Sequence, residues 1–278
     1  MIDKSMRNKL AAGELVLCMN LRLARSVDIA MVAKAGGYDA LYVDMQHAPY
    51  SIETTSTICA AALGIGITPL VRVPSHDAQW MSRVLDGGAH GVIVPDVNTR
   101  ALAEAIVNAC RFPPLGKRSV MGLGPALGYR AVPLAELNPK LNAETAVIVM
   151  LETAEGVENC EAIAAVDGVD VLLIGSGDLT TDLGIPGQVD HPQLRTAYER
   201  VAAACRTHKK GARRRRHSPQ YRSAGRTYPA WSAVRDRRHR HQLRAGRGAS
   251  GHRRSPRHQD LTGLLHGQVD VGVDPIDR

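Results

Sequence analysis

An α/β fold built on a parallel sheet is predicted by three features of the sequence: six short apolar runs, helical patterns between them, and Gly, Asp or Pro where the runs stop. Repeated strand and helix units need a crossover to return each strand in the same direction, and this makes the sheet parallel. No GxGxxG opens a helix after the first strand, as a dinucleotide-binding open sheet would favour. The other common closure is the (β/α)8 TIM barrel of typically about 250 residues, which a chain of 278 residues accommodates. On that reading residues 1–210 hold six β/α units, and strands 7 and 8 belong in residues 211–278, where they are lost or garbled.

The first run is LVLCMN (15–20), followed by ALYVDM (40–45), ITPLVRV (67–73), GVIVPD (91–96), AVIVMLE (146–152) and VLLIGS (171–176). Each is rich in β-branched residues and almost unbroken in hydrophobicity, the pattern of a strand buried on both faces. Between them SVDIAMVAKAGG and DAQWMSRVLDGG read as helices stopped by Gly, RALAEAIVNACR reads as a third, and HPQLRTAYERVAAACRTHKK as the helix after the sixth strand. The N-terminal MIDKSMRNKLAAGE has no continuous apolar core of a signal peptide, and no later run reaches membrane-spanning length, so a soluble, cytoplasmic protein is expected. Five scattered cysteines without a CxxC pair point to a reducing compartment rather than a disulfide scaffold.

Charge divides the chain in two. Residues 211–278 carry sixteen Arg and five Asp with no Lys or Glu, a formal +11, whereas the other 19 basic and 22 acidic residues leave residues 1–210 at −3. The mildly acidic body says little about partners; the Arg-rich segment is what a polyanion-binding tail would look like.

In a barrel the active site forms at the carboxyl ends of the strands. The second strand delivers Asp44 and His47 there, the third Arg72, the fifth Glu152 and the sixth Asp178. Singly, each has a structural alternative: His47 as a hydrogen-bonded loop residue, Arg72 as an ion-pair partner, Glu152 and Asp178 as caps of the following helices. Together on one rim, two carboxylates suit a hard divalent cation, Mg2+ or Mn2+ with Co2+ as a further option, which leaves coordination positions for the carboxylate and keto oxygens of a 2-oxo acid. Arg72 then stabilises enolate charge, and His47, oriented by Asp44, accepts a proton near neutral pH. The glycines around Ser176 in GSGD let backbone amides approach a ligand carboxylate.

Over about residues 5–210 the sequence resembles the HpcH/HpaI aldolase family of metal-dependent class II pyruvate aldolases. The resemblance is carried in order by YDALYVDMQHAPYS, PLVRVP, GAHGVIVPDV, RFPPLGKRS, VIVMLETAEGVEN and GVDVLLIGSGDLTTDLGIPG. It implies a (β/α)8 barrel that reversibly cleaves a 4-hydroxy-2-oxo acid to pyruvate and an aldehyde, and a place in the catabolism of aromatic compounds. It implies metal ligation by Glu152 and Asp178, polarisation of the keto group by Arg72, proton handling by His47 with Asp44, and a pyruvate carboxylate held by the amides of Gly177 and Asp178. Met150 stands where members often carry a Gln that touches pyruvate, and a thioether donates no hydrogen bond. Gly175, Ser176, Gly177 and Asp178 stand where Gly-Pro-Ala-Asp is frequent. An enzymatic alternative is a related lyase acting on an acyl-CoA or a phosphoenolpyruvate-type substrate. Members assemble as oligomers, often hexamers, through C-terminal helices.

That C-terminal portion does not match. A GC-rich gene read out of frame fills with Arg, Ala, Gly, Pro and His, the composition of residues 211–278. Back-translating PAWSAVRDRRHRHQLRAG with permitted codons and reading from the second base gives PLGARFVIAGTDISYVL, which resembles the family's eighth strand. The same shift turns GARRRRH into ALGVGGI, a seventh. Codon choice steers that exercise, but Trp231 followed by Ser232 yields Gly without any choice. The sequence therefore predicts a frameshift at about residue 211, a disordered tail beyond it and impaired folding. The rival is a genuine Arg-rich nucleic-acid-binding tail, although such tails commonly interleave Lys and aromatics.

Overall fold

The computed structural model describes residues 6–210, without residues 13 and 15 and without the side chains of residues 7 and 11. Residues 211–278, expected to be disordered and to stand in place of strands 7 and 8, lie outside the described residues. The elements run α1 (Met6–Ala11), β1 (Cys18–Leu21), α2 (Asp28–Ala35), β2 (Ala40–Asp44), α3 (Ile52–Gly64), β3 (Thr68–Arg72), α4 (Ala78–Asp86), β4 (Gly91–Val94) and α5 (Arg100–Cys110). A 3-10 turn (Pro125–Leu127), α6 (Leu134–Glu144), β5 (Ala146–Leu151), α7 (Ala154–Glu158), α8 (Cys160–Ala164), β6 (Val171–Ile174), α9 (Ser176–Asp182) and α10 (Pro192–Thr207) follow.

All six expected strands are present and form one sheet in the order β1-β2-β3-β4-β5-β6, every neighbouring pair parallel. Among the described residues β1 and β6 are its edges. The run GVIVPD stops at Val94 because Pro95 has no N–H to donate and Asp96 turns to φ 51°. VLLIGS stops at Ile174 because Gly175 already begins α9. Ser51, Asp77 and Thr99 start α3, α4 and α5 by accepting the amides of Thr54, Gln79 and Leu102, contacts worth about 1 kcal/mol each.

The two faces of the sheet carry separate apolar clusters. Leu41, Val43, Val71, Val92, Val94, Val147 and Val149 pack outward against the helices. Ala40, Tyr42, Leu70, Ile93, Ile148, Met150 and Leu173 pack inward on one another, joined by Met6 and Leu10 of α1. The Met6 amide donates to Thr68 Oγ1 at 3.1 Å, which ties α1 to the amino-terminal end of β3. Burial on both faces is why the strands read as continuous hydrophobic runs. Alternation then fixes direction: with Tyr42, Leu70 and Met150 inward, Asp44, Arg72 and Glu152 continue the same inward rows at the carboxyl ends.

At the opposite end Arg111 is 1% exposed and acts as a clamp. Its guanidinium donates to the Thr145 carbonyl (2.8 Å), the Gly168 carbonyl (2.9 Å) and Asp170 Oδ2 (2.6 Å), joining α5 to the entries of β5 and β6. Arg111→Met leaves these acceptors and the Asp170 charge without their cation. Chemical denaturation should register a loss of about 3–5 kcal/mol.

His90, 6% exposed before β4, has no partner for either ring nitrogen among the described residues, and burial pushes its pKa down to about 4. The unfolded chain takes up a proton at pH 6.5 and the folded chain does not, so this position opposes folding increasingly as pH falls from about 6.5 to 4. The loss reaches about 3 kcal/mol. His90→Leu should flatten that part of the stability profile, measured by thermal melts from pH 7 to pH 4; an unchanged slope refutes the assignment.

All five cysteines are buried free thiols. Among the described residues no helix is long and apolar enough to cross a membrane.

Candidate active site

The carboxyl ends of β2 and β3 are in register, with Asp44 opposite Arg72. That register places a carboxylate against a guanidinium fork: Arg72 Nε donates to Asp44 Oδ1 at 3.0 Å and Nη2 to Oδ2 at 2.6 Å. Arg22, just past β1, adds its Nε to Oδ2 at 2.8 Å. The His47 backbone N–H completes the set on Oδ1 at 3.2 Å. Asp44 has no exposed surface. Burial pushes its carboxyl upward, but the hydrogen bonds and charges of Arg72, helped by the His47 amide and Arg22, outweigh this and hold it below the usual carboxylate range. Burial likewise works against the Arg72 cation, and Asp44 more than restores it.

This arrangement corrects the expected orientation of His47 by Asp44. The carboxylate accepts the His47 amide rather than its ring, because two guanidinium groups already occupy it. The His47 ring is exposed in the turn after β2 and makes no hydrogen bond among the described residues. Arg72 does have the ion-pair partner that its structural alternative required, yet it also reaches past Asp44: Nη1 lies 3.9 Å from Met150 Sδ on β5, and the cation sits 6.0 Å from the Tyr42 ring centroid. Met150 therefore packs on the arginine from the position where the resemblance placed a substrate contact.

Glu152 follows β5 and is 2% exposed. It does not cap the next helix; Thr153 does, accepting the Gly156 amide at 3.0 Å. Instead Glu152 Oε2 accepts the Asp96 amide at 3.0 Å. Burial raises the Glu152 carboxyl to about 7; the Asp96 and Asp178 charges push the same way, against the Asp96 N–H and Arg72. Gly175 is required here because a Cβ on it would overlap the Glu152 carboxylate. At Gly177 the same addition meets open space. The need for glycine in GSGD thus comes from Glu152 at the first position.

Asp178 is exposed in the first turn of α9, a helix with no side-chain cap, and the Gly177 and Asp178 amides lie where no intrahelical carbonyl reaches them. The Ser176 hydroxyl is engaged by the Tyr198 hydroxyl of α10, which ties the start of α9 to α10. Among the described residues no three His, Cys, Asp or Glu side chains gather as a metal cluster. Two further groups belong to this rim. Arg22 gave no periodic signal, and Asp96 was readable only as the end of GVIVPD; its αL backbone, tolerable for Asp, aims its amide at Glu152.

The chain resembles known proteins over this same region. The model of the HpcH/HpaI aldolase/citrate lyase family matches residues 20–213. A 4-hydroxy-4-methyl-2-oxoglutarate aldolase of Chaetomium globosum is 46% identical over 200 residues, 71% of this chain and 74% of that one. A 4-hydroxy-2-oxovalerate aldolase of Novosphingobium aromaticivorans is 40% identical over 187 residues, 66% of this chain and 69% of that one. The crystal structure of an HpcH/HpaI aldolase from Desulfitobacterium hafniense superposes with a TM-score of 0.72 at 33% identity, covering 74% of this chain and 80% of the other. With six parallel strands in sequential order and a family match that runs from within β1 past β6, the chain belongs to the HpcH/HpaI aldolase/citrate lyase family.

Proposed function

We propose that this chain is a metal-dependent pyruvate aldolase that cleaves a 4-hydroxy-2-oxo acid to pyruvate and a carbonyl compound. The observation that carries the reading is the meeting of Arg72, fixed by Asp44, with the Glu152 and Asp178 carboxylates at one end of the sheet. Relatives named as aldolases of 4-hydroxy-2-oxo acids support it.

A divalent cation fits the donor set on its chemistry. Glu152 is a buried carboxylate facing the charges of Asp96 and Asp178, with no cation bonded to it among the described residues, and Mg2+ or Mn2+ needs only one or two protein carboxylates. Glu152 and Asp178 would hold it, and it supplies Lewis-acid polarisation of the 2-oxo acid. The Gly177 and Asp178 amides receive the pyruvate carboxylate. Arg72 donates to the keto oxygen and holds its charge as that oxygen becomes an enolate. In cleavage the C3–C4 bond breaks, the 4-hydroxyl gives up its proton and becomes the carbonyl of the leaving half, and the electron pair stays on the pyruvate enolate until C3 is protonated. His47 is the group on this rim that takes the hydroxyl proton, acting as an exposed base without an Asp44 relay.

The six strands are, on this reading, the first six of a (β/α)8 barrel, and residues from about 211 are a frameshifted product of the aldolase's own C-terminus. The family match ends at residue 213, where the charge of the chain changes. Sequencing the coding DNA across codons 205–245 tests this; a frame that stands, together with nucleic-acid affinity that falls with salt and disappears on deleting 211–278, favours the binding-tail alternative. Catalysis is tested by coupling pyruvate release from 4-hydroxy-2-oxo acids to a lactate dehydrogenase assay. Release that survives EDTA removes the metal from the proposal. A cytoplasmic, oligomeric enzyme is the corresponding expectation for the intact frame.

A further inference from the structure

The turn between β4 and α5 meets Glu152 through one peptide unit, the bond between Pro95 and Asp96. Its N–H end donates to Glu152 Oε2 at 3.0 Å. Its C=O end faces the other way, and Nε2 of His76 lies 2.8 Å from that oxygen. A carbonyl oxygen only accepts, so Nε2 carries the proton and donates it. His76 is exposed in the loop between β3 and α4, and Asp77 beside it caps α4 by accepting the Gln79 amide at 2.8 Å. A helix start thus holds an imidazole on one end of a peptide plane whose other end holds Glu152. The plane is rigid, so its two ends turn together. A donor on the oxygen also polarises the N–H and strengthens its bond to the carboxylate.

That plane needs holding. Asp96 sits at φ 51°, a sparsely populated backbone conformation for a residue with a Cβ. A flip of the peptide would relieve the strain, but it would turn the N–H away from Glu152 and bring the Pro95 oxygen against the carboxylate. With His76 in place, Oε2 of Glu152 stays bonded to the Asp96 amide, and Oε1 stays on the β6 side against Gly175. We infer that His76 is a positioning residue: through the Pro95–Asp96 peptide it fixes the Glu152 carboxylate and makes Oε1 the oxygen offered to a divalent cation. The inference rests on the reading of Glu152 as a metal ligand, but the peptide link itself can be measured without metal or turnover.

Pro95 and Asp96 form the one Pro–Asp pair in the sequence, so the full chain labelled with carbonyl-13C proline and 15N aspartate gives a single signal in a carbonyl–amide correlation spectrum. In His76→Ala the amide proton of that signal should move upfield and exchange faster with solvent. His76→Gln, whose side-chain nitrogen reaches about as far as Nε2, should restore both. In titration calorimetry His76→Ala should bind Mn2+ about tenfold more weakly than the wild type, the usual order of effect for removing a partner behind a ligand, and His76→Gln should lie within about threefold of it. Thermal melts confirm that the variants are folded; should His76→Ala not fold, His76→Asn, whose amide falls short of Pro95, takes its place. A signal that does not move, a signal that moves with unchanged Mn2+ affinity, or a Gln variant no better than Ala overturns the proposal. A signal that moves and is restored in a protein that takes up no Mn2+ sinks the metal reading of Glu152 and leaves His76 as the residue that fixes it.

Discussion

Replacing Glu152 and Asp178 together by Gln and Asn is expected to lower pyruvate release by at least about a thousandfold and to remove its dependence on added Mg2+ or Mn2+. These side chains are the carboxylates that the end of β5 and the first turn of α9 bring to one place. The same change should separate function from stability. Glu152 is buried against the charges of Asp96 and Asp178, and among the described residues its one hydrogen bond comes from a backbone amide, so the metal-free protein pays for keeping it. Glu152→Gln alone should therefore raise the melting temperature of metal-free protein while abolishing the further rise expected of the wild type on adding Mn2+. A double variant with full activity eliminates these residues as ligands; a Glu152→Gln protein still stabilised by Mn2+ eliminates Glu152.

Arg72→Met should cost about a hundredfold to a thousandfold in kcat, the usual consequence of removing one preorganised donor to a developing oxyanion. It also leaves Asp44 buried with Arg22 as its remaining charged partner, which should destabilise the protein by about 3–5 kcal/mol. Asp44 touches no reacting atom in the proposed arrangement. It positions Arg72, so Asp44→Asn should lower kcat through misplacement of the guanidinium, and the two substitutions combined should be little worse than Arg72→Met alone. Fully additive losses would mean that Asp44 has a separate catalytic role. The pairing also bears on His47: Asp44 accepts its amide and not its ring, so Asp44→Asn should act through Arg72 rather than through the imidazole.

The sequence by itself determined the six-stranded parallel sheet, the order of its strands and which polar residues stand at their carboxyl ends. Those features are written locally: ALYVD, TPLVR and AVIVML are unbroken because both faces are buried, and a strand that ends in a polar residue can put it only at one end of the sheet. It also marked residue 211 as the point where the chain changes character, through charge and amino-acid composition alone. Only the tertiary structure decided who pairs with whom. Asp44 and His47 are three residues apart and suggest a pair, but Arg72 lies directly opposite Asp44 across the β2–β3 register and takes it with two hydrogen bonds. Arg22 and Asp96 enter the site from loops without periodicity, where a residue's role depends on which distant strand end it meets. The close approach of Glu152 to Gly175 is invisible in either segment, because it arises from β5 and β6 lying side by side. Spacing along the chain fixes the face on which a side chain lies; contact across strands fixes its partner, its charge and therefore its chemistry.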